Sequence, residues 1–127
     1  MKENEKILYV SDLDGTLLNE KQKLSDYTVK TINNLIGKGL YFSYATARSL
    51  TSASIVTKGL TTTIPVIIYN GTFIVNSQTK EKLFSIYFNQ EEKNIIKKYL
   101  DTNTIYPLIY GYVNGEEKVS WIKPESV

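Results

Sequence analysis

Asp12-Leu13-Asp14-Gly15-Thr16 is the stretch whose residue types and spacing could carry chemistry. The two carboxylates stand two positions apart, which in an extended backbone turns them to one side. Gly15 lets the chain turn sharply just after them. Two crowded carboxylates repel each other and invite a divalent cation. Hard oxygen ligands of this kind suit Mg²⁺. With the metal in place, Asp12 can stay ionised as a nucleophile while Asp14 acts first as general acid and then as general base. That is a plan for phosphoryl transfer through an aspartyl-phosphate. The plain alternative is an Asp-Gly turn with a capping role. A calcium-binding EF-hand loop does not fit: Gly15 comes too early, and Lys23 stands where the closing glutamate should be.

The elements that must position these groups follow from the flanking pattern. Ile7-Leu8-Tyr9-Val10 is an apolar run with the length and composition of a buried strand, Ile7 to Ser11, carrying the aspartates at its C-terminal end. Gly15 to Leu24 is a polar connection. Ser25 reads as an N-cap, and Val29, Ile32, Leu35 and Ile36 follow at helical spacing up to Gly39, which predicts a helix over Asp26–Lys38 with a core-facing stripe. Leu40 to Ala45 is a second strand. The strand–helix–strand order makes a βαβ unit, so the two strands run parallel and Thr46 falls at the same sheet edge as Asp12. Ligands of open α/β sheets bind at that edge. The Thr46 hydroxyl is either a helix N-cap or a donor to a phosphate oxygen; with Asp12 upstream, phosphate contact is preferred. Arg48 either neutralises substrate charge or forms a surface salt bridge. Ser49 to Lys58 is a second helix stopped by Gly59, and Val66 to Tyr69 a third strand, central or buried on both faces. Asn70-Gly71 after it is a tight turn, a crevice-facing polar group, or both.

The second half is α+β in style. Thr72–Asn76 and Lys82–Phe88 form a hairpin around Ser77-Gln78-Thr79-Lys80. Asn89 and Glu92 make a capping box for a helix over Gln90–Leu100. Ile105–Val113 and Lys118–Ile122 pair across Asn114-Gly115.

Composition narrows the chemistry. With no Cys and no His, the chain has no disulfide, thiolate, Ser-His catalysis or histidine-bound zinc, so acid–base work falls to carboxylates, Lys or Tyr. A net charge of +2 with dispersed lysines gives no nucleic-acid footprint, and the 10 tyrosines lie mostly in strand-like runs. The polar opening MKENEK has no apolar core of a signal peptide, and no apolar run approaches a membrane span, so a cytoplasmic protein is expected. The Asn70-Gly71-Thr72 sequon is then irrelevant.

The DLDGT sequence after an apolar strand resembles the first motif of the haloacid dehalogenase superfamily of phosphohydrolases, and the wider chain resembles its Cof-type branch. The resemblance implies an α/β fold: a partial doubly wound parallel core over residues 1–80, followed over residues 81–127 by the beginning of an inserted α+β cap. It implies a Mg²⁺-dependent phosphatase of small phosphorylated metabolites. Asp12 would be nucleophile and Asp14 acid/base, both serving the metal, with Thr46 on the phosphate and Arg48 and Asn70 as secondary contacts. Thr46-Ala47-Arg48 stands where that branch reads T-G-R, so the local backbone depends on Ala tolerating the conformation. The family's later Lys and acidic motifs have no counterpart here: Glu116-Glu117 follow a hairpin turn, and Lys123 belongs to the cap. The resemblance is thus to the N-terminal portion, and weak metal binding with little turnover is expected of this chain alone. The first strand is also expected to lack one neighbour, leaving an edge through which copies could associate. The rival expectation is an inactive remnant that binds phosphate or itself.

Overall fold

The computed structural model describes residues 6–121, arranged as two compact units that divide between Ile86 and Tyr87. In the first unit, β1 (Leu8–Ser11) is followed by α1 (Asp26–Gly37), β2 (Tyr41–Tyr44), α2 (Leu50–Val56), β3 (Val66–Ile68), β4 (Phe73–Val75) and β5 (Lys82–Ser85). β1 and β2 pair in parallel, with Leu8 opposite Tyr41 and Ser11 opposite Tyr44. Beyond the end of β2, Ala45 bridges to Ile67 of β3, again in parallel. β3, β4 and β5 then pair antiparallel. The architecture is the expected α/β type, with three strand ends brought to one edge.

Local sequence explains most elements. Ser25 caps α1 by accepting from the Thr28 amide at 3.0 Å. The helix ends in a Schellman motif: Gly39 takes φ +95°, its amide donates to the Ile36 carbonyl at 2.9 Å, and that of Leu40 donates to the Leu35 carbonyl at 3.0 Å. Ser49 caps α2 through the Ser52 amide at 3.2 Å. The core lies between these helices and β2, β3 and β4. It contains Ile32, Phe42, Tyr44, Ala53, Val66, Ile68, Phe73 and Val75. Its buried hydroxyls are paired: Ser43 donates to the Pro65 carbonyl at 2.6 Å, Thr57 to the Ala53 carbonyl at 2.8 Å, and Thr62 to the Phe42 carbonyl. Burial pushes the Tyr44 phenol above its ordinary range, against an opposing hydrogen bond with Thr57.

Several expected boundaries shift. β1 is not buried: Leu8, Tyr9 and Val10 are each about half exposed. Among the described residues it pairs only with β2, so its other edge and much of its side-chain surface face solvent. α2 stops at Val56 rather than Lys58. Tyr69 leaves β3 for a turn, where its φ is +49°. β5 ends at Ser85, three residues short of Phe88.

The second unit holds α3 (Gln90–Thr102), β6 (Ile109–Val113) and β7 (Glu116–Ser120). The Asn89–Glu92 capping box forms with both of its hydrogen bonds. Asn114 and Gly115 both take positive φ, +53° and +82°, as a type I′ hairpin turn requires. The expected strand from Ile105 is shorter, because Ile105–Leu108 remain outside the ladder; Ile122 and Lys123 lie outside the described residues. Tyr112 donates to Glu117 at 3.2 Å, and burial together with that carboxylate pushes the phenol up to about 12. Among the described residues, no helix is long and apolar enough to cross a membrane.

Candidate functional site

Leu13 is wholly buried and pins the loop that leaves β1, while Asp12 and Asp14 on either side of it are exposed. The loop closes where the Leu18 amide donates to the Leu13 carbonyl at 2.9 Å. Gly15 permits this with φ +73°, a conformation strained for any residue with a Cβ. Asp12 Oδ1 accepts from the Leu13 amide at 2.7 Å, which sets the carboxylate's rotamer.

The ends of β2 and β3 meet beside this loop. The Ala45 amide donates to the Ser11 carbonyl at 2.9 Å, and the Thr46 amide to the Ile67 carbonyl at 3.0 Å. The Asn70 amide returns to the Thr46 carbonyl at 3.0 Å, and the Tyr69 amide to the Arg48 carbonyl at 3.1 Å. Thr46 is therefore held from both neighbours and is only 4 % exposed. Its Oγ1 accepts from the Arg48 amide at 3.2 Å, but the helix cap falls on Ser49, so Thr46 is not the N-cap. Ala47 is absent from the residues with positive φ, so it sits where T-G-R would have Gly without backbone strain. Asn70 takes φ +54° in the turn after β3, and the turn and the crevice position coincide in it.

Asp12, Asp14, Thr46 and Asn70 line one open cleft of about 480 Å³, with Val10, Ser11, Ala45, Ala47, Ile67 and Gly71. Arg48 stands beside that cleft, not on its wall. Its guanidinium grips Asp14 at both oxygens, Nε to Oδ2 at 2.8 Å and Nη2 to Oδ1 at 2.7 Å. Those hydrogen bonds hold the Asp14 carboxyl below its ordinary range; desolvation opposes them, and the positive charge of Arg48 adds to the lowering. The same guanidinium donates to Ser52 Oγ at 2.9 Å and to Gln22 Oε1 at 3.3 Å. Gln22 and Ser52 escaped the sequence reading. Ser52 lies four positions from Arg48 but across the helix start at Ser49, and Gln22 is 26 positions away, so no local pattern ties either to Arg48.

Among the described residues, no three acidic, His or Cys side chains gather closely enough to hold a metal. The Asp12 carboxylate and the Asp14 backbone carbonyl are hard oxygens of the kind Mg²⁺ accepts, so the donor chemistry fits that ion.

A family model of haloacid dehalogenase-like hydrolases matches residues 9–125. A putative phosphatase of Buchnera aphidicola subsp. Baizongia pistaciae is 34% identical over 108 residues, covering 84% of this chain and 40% of that protein. The 5-amino-6-(5-phospho-D-ribitylamino)uracil phosphatase of Bacillus subtilis is 29% identical over 104 residues, 82% of this chain and 38% of the relative. A crystal structure of a haloacid dehalogenase-like hydrolase from Bacteroides thetaiotaomicron superposes with a TM-score of 0.68 at 24% identity, over 91% of this chain and 44% of that one. The chain thus spans about two fifths of the length of the curated relatives it matches. With the DLDGT loop, the parallel strand ends and a match over nearly the whole sequence, the chain belongs to the haloacid dehalogenase-like hydrolases, of Cof type.

Proposed function

We propose that the cleft is the phosphoryl-transfer centre of a Mg²⁺-dependent phosphohydrolase acting on small phosphorylated metabolites. The observation that carries this reading is the convergence of Asp12, Asp14, Thr46 and Asn70 on one cleft at the carboxyl ends of three strands. Asp12, with one oxygen held by the Leu13 amide, attacks phosphorus with the other. The ester P–O bond breaks, and the leaving oxygen takes a proton from Asp14, whose carboxyl must carry one at that step although the Arg48 fork favours its ionised form. Asp14 then accepts a proton from water as that water attacks the aspartyl-phosphate, which releases phosphate and restores Asp12. Thr46 donates its hydroxyl to a phosphoryl oxygen, and Asn70 contacts the substrate at the rim. The Asp12 carboxylate and the Asp14 carbonyl would hold Mg²⁺, which when bound neutralises charge on the phosphoryl group.

Beryllofluoride tests the nucleophile without requiring turnover, because it binds an attacking carboxylate as a phosphoryl mimic. ¹⁹F NMR of the chain with Mg²⁺ and beryllofluoride is expected to show bound resonances that vanish in Asp12→Asn. Bound signals that survive the substitution overturn the assignment. Hydrolysis of an aryl phosphate by this chain is expected to be slow, to require Mg²⁺, and to fall on the order of a hundredfold or more in Asp12→Asn.

A further inference from the structure

Arg48 is the only arginine in the sequence; every other basic residue is lysine. Its fork lies flat against one carboxylate, with both Asp14 oxygens engaged at 2.7 and 2.8 Å. This two-point geometry is available to a guanidinium and not to an ammonium. The guanidinium is itself braced. Ser52, in the first turn of α2, accepts from Nη1 at 2.9 Å, and Gln22, in the loop ahead of α1, accepts from Nη2 at 3.3 Å. The Arg48 backbone is fixed as well, its amide on Thr46 Oγ1 and its carbonyl on the Tyr69 amide. Asp14, by contrast, sits on an exposed turn with its side chain 48% accessible. Without the clamp its carboxylate would be free to change rotamer.

Resting on the phosphohydrolase reading above, we propose that Arg48 is a positioning residue and not a substrate contact: braced by Ser52 and Gln22, it fixes the rotamer of the Asp14 carboxylate beside the cleft. Offering the fork to a substrate phosphate would break two charge-assisted hydrogen bonds to Asp14. Arg48 is absent from the cleft wall that Asp14 lines. The Gln22 contact also ties the loop ahead of α1 to the orientation of the acid/base group.

A single arginine makes the test direct, since its side-chain Nε–H gives one ¹⁵N NMR signal. In the free chain that signal is expected to show restricted guanidinium rotation, weakened in Ser52→Ala and Gln22→Ala and abolished in Asp14→Asn. A freely rotating guanidinium, unaffected by Asp14→Asn, overturns the clamp. Inorganic phosphate with Mg²⁺ supplies the second arm. Saturating phosphate is expected to leave the Nε signal in place, and Arg48→Ala to keep phosphate affinity within about threefold of the parent chain. A shifted signal together with a loss of about tenfold or more makes Arg48 a substrate contact and overturns the proposal. Failure of the parent chain to bind phosphate counts against the phosphohydrolase reading, and the clamp is then decided by the Asp14→Asn spectrum alone. Where turnover is measurable, Arg48→Ala is expected to lower kcat by about tenfold to a hundredfold with KM unchanged, and Arg48→Lys not to restore it.

Discussion

β1 and β3 are written in nearly the same alphabet and end up in opposite environments. Leu8-Tyr9-Val10 and Val66-Ile67-Ile68 are both short apolar runs, each followed by a polar turn at the site. Yet Val66 and Ile68 are essentially inaccessible, while Leu8 and Val10 keep about half their surface. The difference is neighbours. β3 pairs with β4, bridges to the end of β2 and receives the Ser43 hydroxyl on the carbonyl of Pro65, the residue just before it. β1 pairs with β2 alone among the described residues. Apolar composition states that a strand can be buried; the sheet order states whether it is. Both strands deliver polar groups to the cleft, so the cleft is built half on a buried floor and half on an exposed edge.

Truncating the two strands tests this contrast most strongly. Ile68→Ala is expected to destabilise the chain by about 2–5 kcal/mol in urea unfolding, through lost burial and the cavity left behind. A cost under about 1 kcal/mol would mean the β3 site can collapse and the comparison fails. Ser43→Ala, which leaves the Pro65 carbonyl without its donor, is expected to cost about 1–2 kcal/mol in the same assay. Leu8→Ala cuts the same class of side chain on β1 and is expected to cost about 1 kcal/mol or less, since only half of the area is at stake. A Leu8→Ala effect equal to that of Ile68→Ala would show that β1 is covered in solution.

The smallest expected effect concerns the loop that β1 carries. Arg48 lowers the Asp14 pKa in the fold, so the pair adds stability above the ordinary carboxylate range and loses it as pH falls through the folded-state value. Solvent exposure keeps this to about a few tenths of a kcal/mol. Comparing acid unfolding of the parent with that of Asp14→Asn should reveal a small difference at neutral pH that disappears at low pH.

What this sequence specifies about the fold divides along the same physical line. Signals acting within one turn of chain were readable: the Ser25 cap, the Gly39 terminus, the Asn89–Glu92 box and the Asn114-Gly115 hairpin all form, because both partners lie within a few residues. Apolar composition extends the strands to Phe88 and from Ile105, but the ladders stop at Ser85 and start at Ile109, where the partner strands run out. α3 makes the point from the other side. Its capping is complete, yet its large apolar side chains Ile95, Ile96 and Tyr99 stay exposed. Local chemistry is enough to write a helix but not to bury it.

The sequence by itself determined the DLDGT loop, the Gly-dependent turn after it, and the strand–helix–strand order that brings Thr46 and Asn70 to the edge where Asp12 emerges. These follow from covalent geometry, turn preference and the handedness of βαβ connections, all of which act over short stretches or through general rules of chain connection. Only the tertiary structure decided that Arg48 clamps Asp14, that Gln22 and Ser52 brace it, and that β1 is an exposed edge. Arg48 and Asp14 lie 34 positions apart, and Arg48 and Gln22 lie 26 apart. Which donor meets which carboxylate at that separation depends on how the loops settle on the packed strands, and no local pattern carries that information.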